Sequence, residues 1–264
     1  MNRAIYLLVF LFVVLSSCTL DSALLYNPDK VDEYYYKQNI FSVEVDGNTI
    51  YGVFIPAPAN SPMSNITVIF FHGNSYSMNK FTDVASLFHD MGVNFVMFDY
   101  RGFGKSTGKP TEEGLYNDSE AIVKYVLSIS NINTNNIFYA GHSLGSATSI
   151  ETTLKIKPKG LILVAGFTSI DDMTDYYTTY SISGDWVLNG KYDNFSKIDR
   201  INVPVLLIHG NKDTTVPHWM SKTNYDKAKE PKKLVIVDGA NHGNIFVYKT
   251  FYDEVKKFLT SYSN

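Results

Sequence analysis

Six short runs of apolar residues recur along the chain, at Thr67–Phe71, Asn94–Phe98, Ile137–Ala140, Leu161–Val164, Val205–Ile208 and Leu234–Val237. A strand built from such a run shows hydrophobic side chains on both faces, and a parallel sheet covered on both sides is the arrangement that buries both. Between the runs lie segments with helical spacing, roughly Lys80–Met91, Thr111–Ser130, Ser143–Lys155, His218–Lys229 and Ile245–Tyr262. The alternation predicts right-handed strand–helix–strand crossovers and an α/β fold with a mostly parallel central sheet. Upstream, Phe41–Val45 and Ile50–Ile55 flank Asp46-Gly47-Asn48, the turn chemistry of a β-hairpin. Sheets of this kind carry their chemistry at the carboxyl ends of the strands.

The chain has 264 residues, 45% of them hydrophobic, which is enough for one sizeable core over residues 40–264, and no Pro/Gly/Ser-rich linker divides it. Its net charge of −3 and the lack of a Lys/Arg-rich stretch argue against a nucleic-acid partner. Composition shifts sharply only in the first seventeen residues. Arg3 and the amino-terminus supply positive charge ahead of an apolar run from Ala4 to Leu15. That run is too short to span a bilayer and reads as the hydrophobic region of a signal peptide. It ends in Leu15-Ser16-Ser17-Cys18, which resembles the lipobox of bacterial lipoproteins. The resemblance implies that residues 1–17 are removed. Cys18 then becomes an acylated amino-terminus, and the protein is held by lipid at a membrane of the bacterial cell envelope. Residues 18–39 would be anchor and spacer, ending in a short docking helix. Cys18 is the sole cysteine, so no internal disulfide is possible.

Chemistry is expected just after the apolar runs. Directly after Ile137–Ala140 comes Gly141-His142-Ser143-Leu144-Gly145, a G-x-S-x-G sequence at a strand-to-helix junction. In this motif the serine stands at the tip of a sharp turn, and the glycines are required where other backbone packs against them. A helix amino-terminus at that point favours a developing negative charge. Acyl transfer needs two N–H donors on the carbonyl oxygen as it becomes an oxyanion. Leu144, after the serine, supplies one. The loop after Thr67–Phe71, His72-Gly73-Asn74, offers the Asn74 amide as the other.

A serine hydroxyl also needs a general base, and the base an orienting carboxylate. Of six histidines, His72 and His209 precede glycines at strand ends, His89 lies in a helical segment, and His218 begins one. His142 adjoins the serine but is expected to point elsewhere. His242, in Gly239-Ala240-Asn241-His242-Gly243 after the last strand, is the candidate base. The candidate acid is Asp213, at the carboxyl end of Val205–Ile208, with Asp171 or Asp172 as alternatives. The order Ser143, Asp213, His242 is the order used by hydrolases with this elbow.

These residues resemble the α/β-hydrolase superfamily, and most of all its branch of membrane-associated, depalmitoylase-like hydrolases, the BEM46-like proteins. The pieces that carry the resemblance are Leu24-Leu25-Tyr26-Asn27-Pro28, Phe71-His72-Gly73-Asn74, Asp99 to Ser106, Gly141 to Gly145, Pro204 to Pro217 and Asn241-His242. The resemblance implies a catalytic triad of Ser143, Asp213 and His242, an oxyanion hole from the amides of Asn74 and Leu144, and a loop-bracing role for Arg101. No cofactor or metal is implied, and the substrate would be a small acyl ester or thioester.

Other chemistries fit less well. A dehalogenase would carry Asp at the elbow, and metal hydrolysis would need a His/carboxylate cluster that the sequence lacks. A silent hydrolase fold acting as a surface binding protein, or a serine peptidase or amidase, are the competing readings. The stretch between Val164 and Val205 is longer than one crossover helix needs, which points to a small cap over about residues 166–200. It contains Tyr176, Tyr177, Tyr180 and Trp186 without clean helical spacing. These aromatics are candidates for an acyl pocket suited to short or medium chains.

Overall fold

A computed structural model of the chain describes residues 25–178 and 190–263. Within them eight strands form one sheet in the order β1-β2-β4-β3-β5-β6-β7-β8. The strands are β1 (Ile40–Val45), β2 (Asn48–Ile55), β3 (Thr67–Phe71), β4 (Asn94–Phe98), β5 (Ile137–His142), β6 (Gly160–Val164), β7 (Val205–Gly210) and β8 (Lys232–Val237). β1 and β2 form the expected hairpin, Val45 opposite Asn48, and β2 runs antiparallel to β4. Asp46 and Gly47 both have positive φ (52° and 73°), the turn whose twist matches that of the flanking strands. All other pairings are parallel.

Six helices cover the sheet: α1 (Thr82–Met91), α2 (Glu112–Ser128), α3 (Leu144–Lys155), α4 (Ile170–Tyr177), α5 (Trp219–Lys227) and α6 (Lys249–Tyr262). Residues of β3 alternate between two apolar layers, as period-two geometry requires. Ile69 and Phe71 join Leu115, Ile122, Ala147 and Ile150 from α2 and α3. Val68 and Phe70 join Val84, Phe88, Phe251 and Val255 from α1 and α6. Every residue of β3, β4, β5, β6 and β7 is buried, whereas β8 is half exposed and opens with Lys232 and Lys233. Lysines on an edge strand discourage pairing with another chain.

The differences from the sequence expectations have local causes. The segment expected as Lys80–Met91 begins as a 3-10 turn, Met78–Phe81, before α1. The final one divides at Tyr248, whose extended backbone (φ −82°, ψ 134°) separates a 3-10 turn, Ile245–Val247, from α6. The sequence pattern does not predict α4. It starts at Ser169, whose side chain accepts from the Asp172 amide, and Tyr176 and Tyr177 form its last residues.

No docking helix occurs among residues 25–39. Leu25 to Lys37 is instead a strap held by hydrogen bonds over the carboxyl edge of the sheet. The Asn27 amide donates to the Asn74 carbonyl (2.8 Å), and the Tyr76 amide donates to the Asn27 carbonyl (3.0 Å). The Gly104 amide donates to the Asp29 carbonyl (2.8 Å), and Lys30 Nζ reaches the Ser106 carbonyl (2.9 Å). The Asp99–Ser106 loop is braced as expected: Arg101 meets Asp118 at 2.7 Å and Asp46 at 2.9 Å. Burial would depress the guanidinium, but these two carboxylates outweigh it and raise it further.

Candidate active site

Ser143 stands between β5 and α3 with φ 54° and ψ −118°, a conformation that costs a non-glycine residue on the order of 1–3 kcal/mol. Packing on every side maintains it. The Ser143 amide donates to the Val164 carbonyl of the neighbouring strand (2.9 Å), and its own carbonyl accepts from Ser146 Oγ (2.6 Å) and the Ser146 amide (2.9 Å). The flanking glycines are obligatory: a Cβ on Gly141 would lie 2.3 Å from the Gly145 carbonyl oxygen, and one on Gly145 would lie 1.8 Å from that of Phe71. The motif thus locks β5, α3 and β3 together where the serine is presented.

The two expected oxyanion donors flank this point. Leu144 opens α3, so its amide is among those with no acceptor inside the helix. The loop after β3 passes close by, since a Cβ on Gly73 would lie 3.4 Å from Ser143 Cβ. Asn74 in that loop has two polar groups engaged by the strap, its carbonyl by the Asn27 amide and its side-chain Nδ2 by the Leu25 carbonyl at 2.8 Å, and its Oδ1 accepts from Ser75 Oγ at 3.2 Å. His72 is fully buried and donates from Nδ1 to the Gly73 carbonyl (2.8 Å). Burial pushes its pKa down to about 4, so it stays neutral and serves the loop's shape.

His242 and Asp213 are brought together from the loops after β8 and β7. His242 Nδ1 donates to Asp213 Oδ2 at 2.7 Å, which leaves Nε2 as the proton-accepting nitrogen. The other oxygen of Asp213 accepts the amides of Thr215 (2.9 Å) and Val216 (2.8 Å). Burial alone would raise this carboxyl. Hydrogen bonds from His209, His242 and the Val216 amide, with the charge of His242, overcome it and hold the group well below the usual carboxylate range. Asp171 and Asp172 occupy the first turn of α4 instead.

Two histidines have roles that the sequence does not reveal. His209 Nε2 lies 3.1 Å from Asp213 Oδ2 and 2.8 Å from the Val216 carbonyl, and its Nδ1 lies 2.7 Å from Ser221 Oγ. Both neighbours of Nε2 are acceptors, so Nε2 carries a proton and donates to the same oxygen of Asp213 that His242 engages. The available signal is the spacing His209-Gly210-Asn211-Lys212-Asp213, a four-residue return around a glycine. A Cβ on Gly210 would lie 2.2 Å from the Ala240 carbonyl, so that turn packs against the loop carrying His242. His142, expected to point away from the site, does not. Its ring lies 5.0 Å from that of His242, and its Nε2 donates to the His242 carbonyl at 3.1 Å. Burial, and then the neighbouring His242, push its pKa down to about 3.

Of the expected pocket aromatics, Tyr180 and Trp186 lie outside the described residues, as does Cys18. Tyr176 and Tyr177 pack edge to face, both exposed, and the Tyr177 hydroxyl donates to the carbonyls of Thr214 (3.0 Å) and Thr215 (2.6 Å) beside the acid.

Fold and site together define a hydrolase of the α/β class, and comparison with known proteins agrees. The Hydrolase_4 family, described as serine aminopeptidase, S33, matches residues 63–190. YfhR of Escherichia coli K12 is 30% identical over 230 residues, covering 84% of this chain and 78% of YfhR. Alpha/beta hydrolase domain-containing protein 17B of Homo sapiens is 28% identical over 217 residues, covering 81% of this chain and 72% of that protein. Among solved structures, Est1E from Butyrivibrio proteoclasticus with bound ferulic acid is similar with a TM-score of 0.70 at 22% identity, over 84% of this chain and 98% of that one. The Pyrococcus furiosus esterase Pf2001 is similar with a TM-score of 0.71 at 21% identity, over 91% and 98%. The chain belongs to the α/β-hydrolase superfamily, in the family that includes YfhR.

Proposed function

We propose that the protein is a serine hydrolase that cleaves carboxylic esters or thioesters through an acyl-enzyme on Ser143. The observation that carries this reading is the strained Ser143 at the elbow, on the same sheet edge as a His242–Asp213 pair 2.7 Å apart. In this reading Ser143 Oγ attacks the substrate carbonyl while His242 Nε2 takes its proton. The oxyanion is held by the amides of Leu144 and Asn74. His242 returns the proton to the departing alcohol or thiol, and water then releases the acyl group by the same route. Asp213 fixes the tautomer of His242 and stabilises the imidazolium. The aromatics Tyr176, Tyr177, Tyr180 and Trp186 would line the acyl side. Similarity to the human domain-17B protein supports the α/β-hydrolase class on which this reading rests.

The same reading includes location: a lipid on Cys18, after removal of residues 1–17, holds the protein at a membrane of the bacterial cell envelope. Incorporation of a fatty-acid analogue, lost in Cys18→Ala, checks it.

The activity test is fluorophosphonate labelling beside hydrolysis of acyl esters and thioesters of rising chain length. Labelling should be lost in Ser143→Ala, and turnover should fall at least about a thousandfold with the fold intact. Full turnover in Ser143→Ala would sink the proposal. A peptidase reading, favoured by the family description, requires aminoacyl amides to be cleaved faster than the matched esters.

A further inference from the structure

The described residues include nine exposed large hydrophobics, and they are unevenly placed. Six lie in connections that follow the carboxyl end of a sheet strand: Tyr76 after β3, Tyr176, Tyr177 and Phe195 after β6, Trp219 after β7 and Val247 after β8. In a parallel sheet these connections share one edge, the edge that carries Ser143, Asp213 and His242. Val247 is the most exposed at 79%, five residues beyond His242. Tyr35 joins the group, because its amide donates to Asn79 Oδ1 in the 3-10 turn after β3 (2.7 Å). Tyrosine and tryptophan have an apolar body and a polar tip, the composition that settles at the boundary between lipid tails and water.

A second observation concerns the tether. Leu25 and Asn27 are bound to the oxyanion loop, through Asn74 Nδ2 to the Leu25 carbonyl and the Asn27 amide to the Asn74 carbonyl. The chain toward Cys18 therefore leaves the domain at the catalytic edge. Leu25 lies seven positions beyond Cys18. Even fully extended that stretch reaches about 25 Å, whereas a domain of this size is about 45 Å across. A lipid on Cys18 cannot bring the opposite edge of the sheet to the bilayer.

We infer that the catalytic edge is a lipid-docking surface. The aromatic rim and Val247 rest in the headgroup region, so that Ser143 faces acyl chains presented by the membrane and not only those free in solution. The net charge, −3 for the full chain and −4 once residues 1–17 with Arg3 are removed, gives no electrostatic attraction to anionic lipid, so docking comes from apolar and aromatic insertion and proceeds on neutral phosphatidylcholine. The inference rests on the anchorage at Cys18 proposed above and is independent of which acyl bond is cleaved.

The test places a single tryptophan in the full chain, with Trp186→Phe and Trp219→Phe. One protein carries Val247→Trp on the rim. The other carries Lys233→Trp near the amino end of edge strand β8, at a position that is also exposed (46%). Each is reconstituted in phosphatidylcholine vesicles with brominated acyl chains. The expected result is severalfold stronger quenching at position 247 than at 233. Equal quenching, or none at 247, overturns the inference. Hydrogen exchange of the unsubstituted chain avoids any folding defect of the variants: vesicles should slow exchange around residues 75–77 and 245–248 and leave β8 unchanged, and the reverse pattern overturns the inference. A fatty-acid label and the hydrolysis of a water-soluble acetate ester are measured on the same preparation. Absence of the label removes the tether and overturns the docking inference with the anchorage. A labelled, quenched protein without hydrolysis leaves docking standing and sinks the esterase reading alone.

Discussion

The elbow after β5 and the connection after β6 leave the same sheet edge, yet they are built in opposite ways. At the elbow, backbone meets backbone: Gly141, Gly145 and Phe71 converge, and the Val164 carbonyl holds the Ser143 amide in its strained conformation. After β6, α4 ends in two exposed tyrosines, and one hydroxyl bridges to the acid loop. A nucleophile must be placed to within a fraction of an ångström, so packing fixes it. Selection among acyl groups requires only a surface whose side chains can change without disturbing the sheet. The contrast predicts that substitutions at the elbow act on folding and on all substrates alike, and that those on α4 act on some substrates.

Gly145→Ala should have the largest effect. The added methyl has no flexible side chain to displace, because the atoms within reach belong to the backbone of Phe71 and His72. We expect a loss of about 3 kcal/mol or more in stability, or failure to accumulate folded protein, read by denaturant unfolding. A normally stable Gly145→Ala would break the comparison at its firmer end.

How much of this is legible in the sequence follows the same division. Strands β3 and β4 are readable to the residue because two-faced burial demands unbroken apolar runs. The hairpin is readable because Asp46-Gly47 meets a backbone requirement. The placement of Ser143, Asp213 and His242 at the carboxyl ends of strands is readable because each follows an apolar run. The strap is not, because its backbone hydrogen bonds, at Asn27 and from the Gly104 amide to the Asp29 carbonyl, leave no mark on residue type, and the side-chain ties of Lys30 and Asn74 end on backbone carbonyls that any residue offers. The eight-residue α4 is too short to establish a period, and its amino-terminal signal, Ser169, is a single residue. His209 reads as a turn residue because its partners, a carbonyl, a helix serine and the acid itself, come together only in the fold.

His209 is the next test. It contacts Asp213 Oδ2 at 3.1 Å, so under the proposed mechanism it is a positioning residue for His242 through Asp213. In His209→Leu, Asp213 Oδ2 loses a donor, and kcat should fall on the order of tenfold with KM unchanged, the cost of one unmade hydrogen bond to a buried charged group. His209→Gln, which can supply an N–H, should recover most of the loss. Equal activity in the two variants, whether high or low, would mean that the N–H is not what His209 contributes.

His142 sharpens the comparison through pH. Its folded pKa, about 3, lies below the ordinary 6.5, so the unfolded chain takes up its proton first as pH falls. Its contribution to stability is therefore complete above pH 6.5 and declines as pH falls toward 3. Asp213 acts in a lower window, below its ordinary 3.8, because its folded pKa is also depressed. Asp99, pushed up to about 7 by burial, acts in the opposite direction between 3.8 and 7. The difference between wild type and His142→Asn isolates the one group. The variant should lose less stability between pH 6.5 and 4, by about 3 kcal/mol, measured by urea unfolding at each pH. Parallel curves would mean that His142 takes up its proton as readily in the folded protein as in the unfolded chain.

The smallest effect is expected at Tyr177, and it decides what the β6 connection does. Its hydroxyl ties α4 to the carbonyls of Thr214 and Thr215, while its ring remains exposed beside Tyr176. If the hydroxyl serves to hold the acid loop, Tyr177→Phe lowers kcat for every ester by the same factor. If the ring lines an acyl pocket, Tyr177→Phe is close to silent. Tyr177→Ala then raises KM for medium-chain esters by about threefold relative to acetate, in keeping with up to about 0.8 kcal/mol for each substrate methylene left uncovered. The half-exposed bond to two carbonyls already backed by Asp213 contributes little, so we expect the second pattern, within about twofold for Tyr177→Phe. A uniform tenfold loss in Tyr177→Phe would place α4 with the elbow, as part of the apparatus that fixes the catalytic groups, and the division between a packed chemical half and an adaptable selecting half would fail.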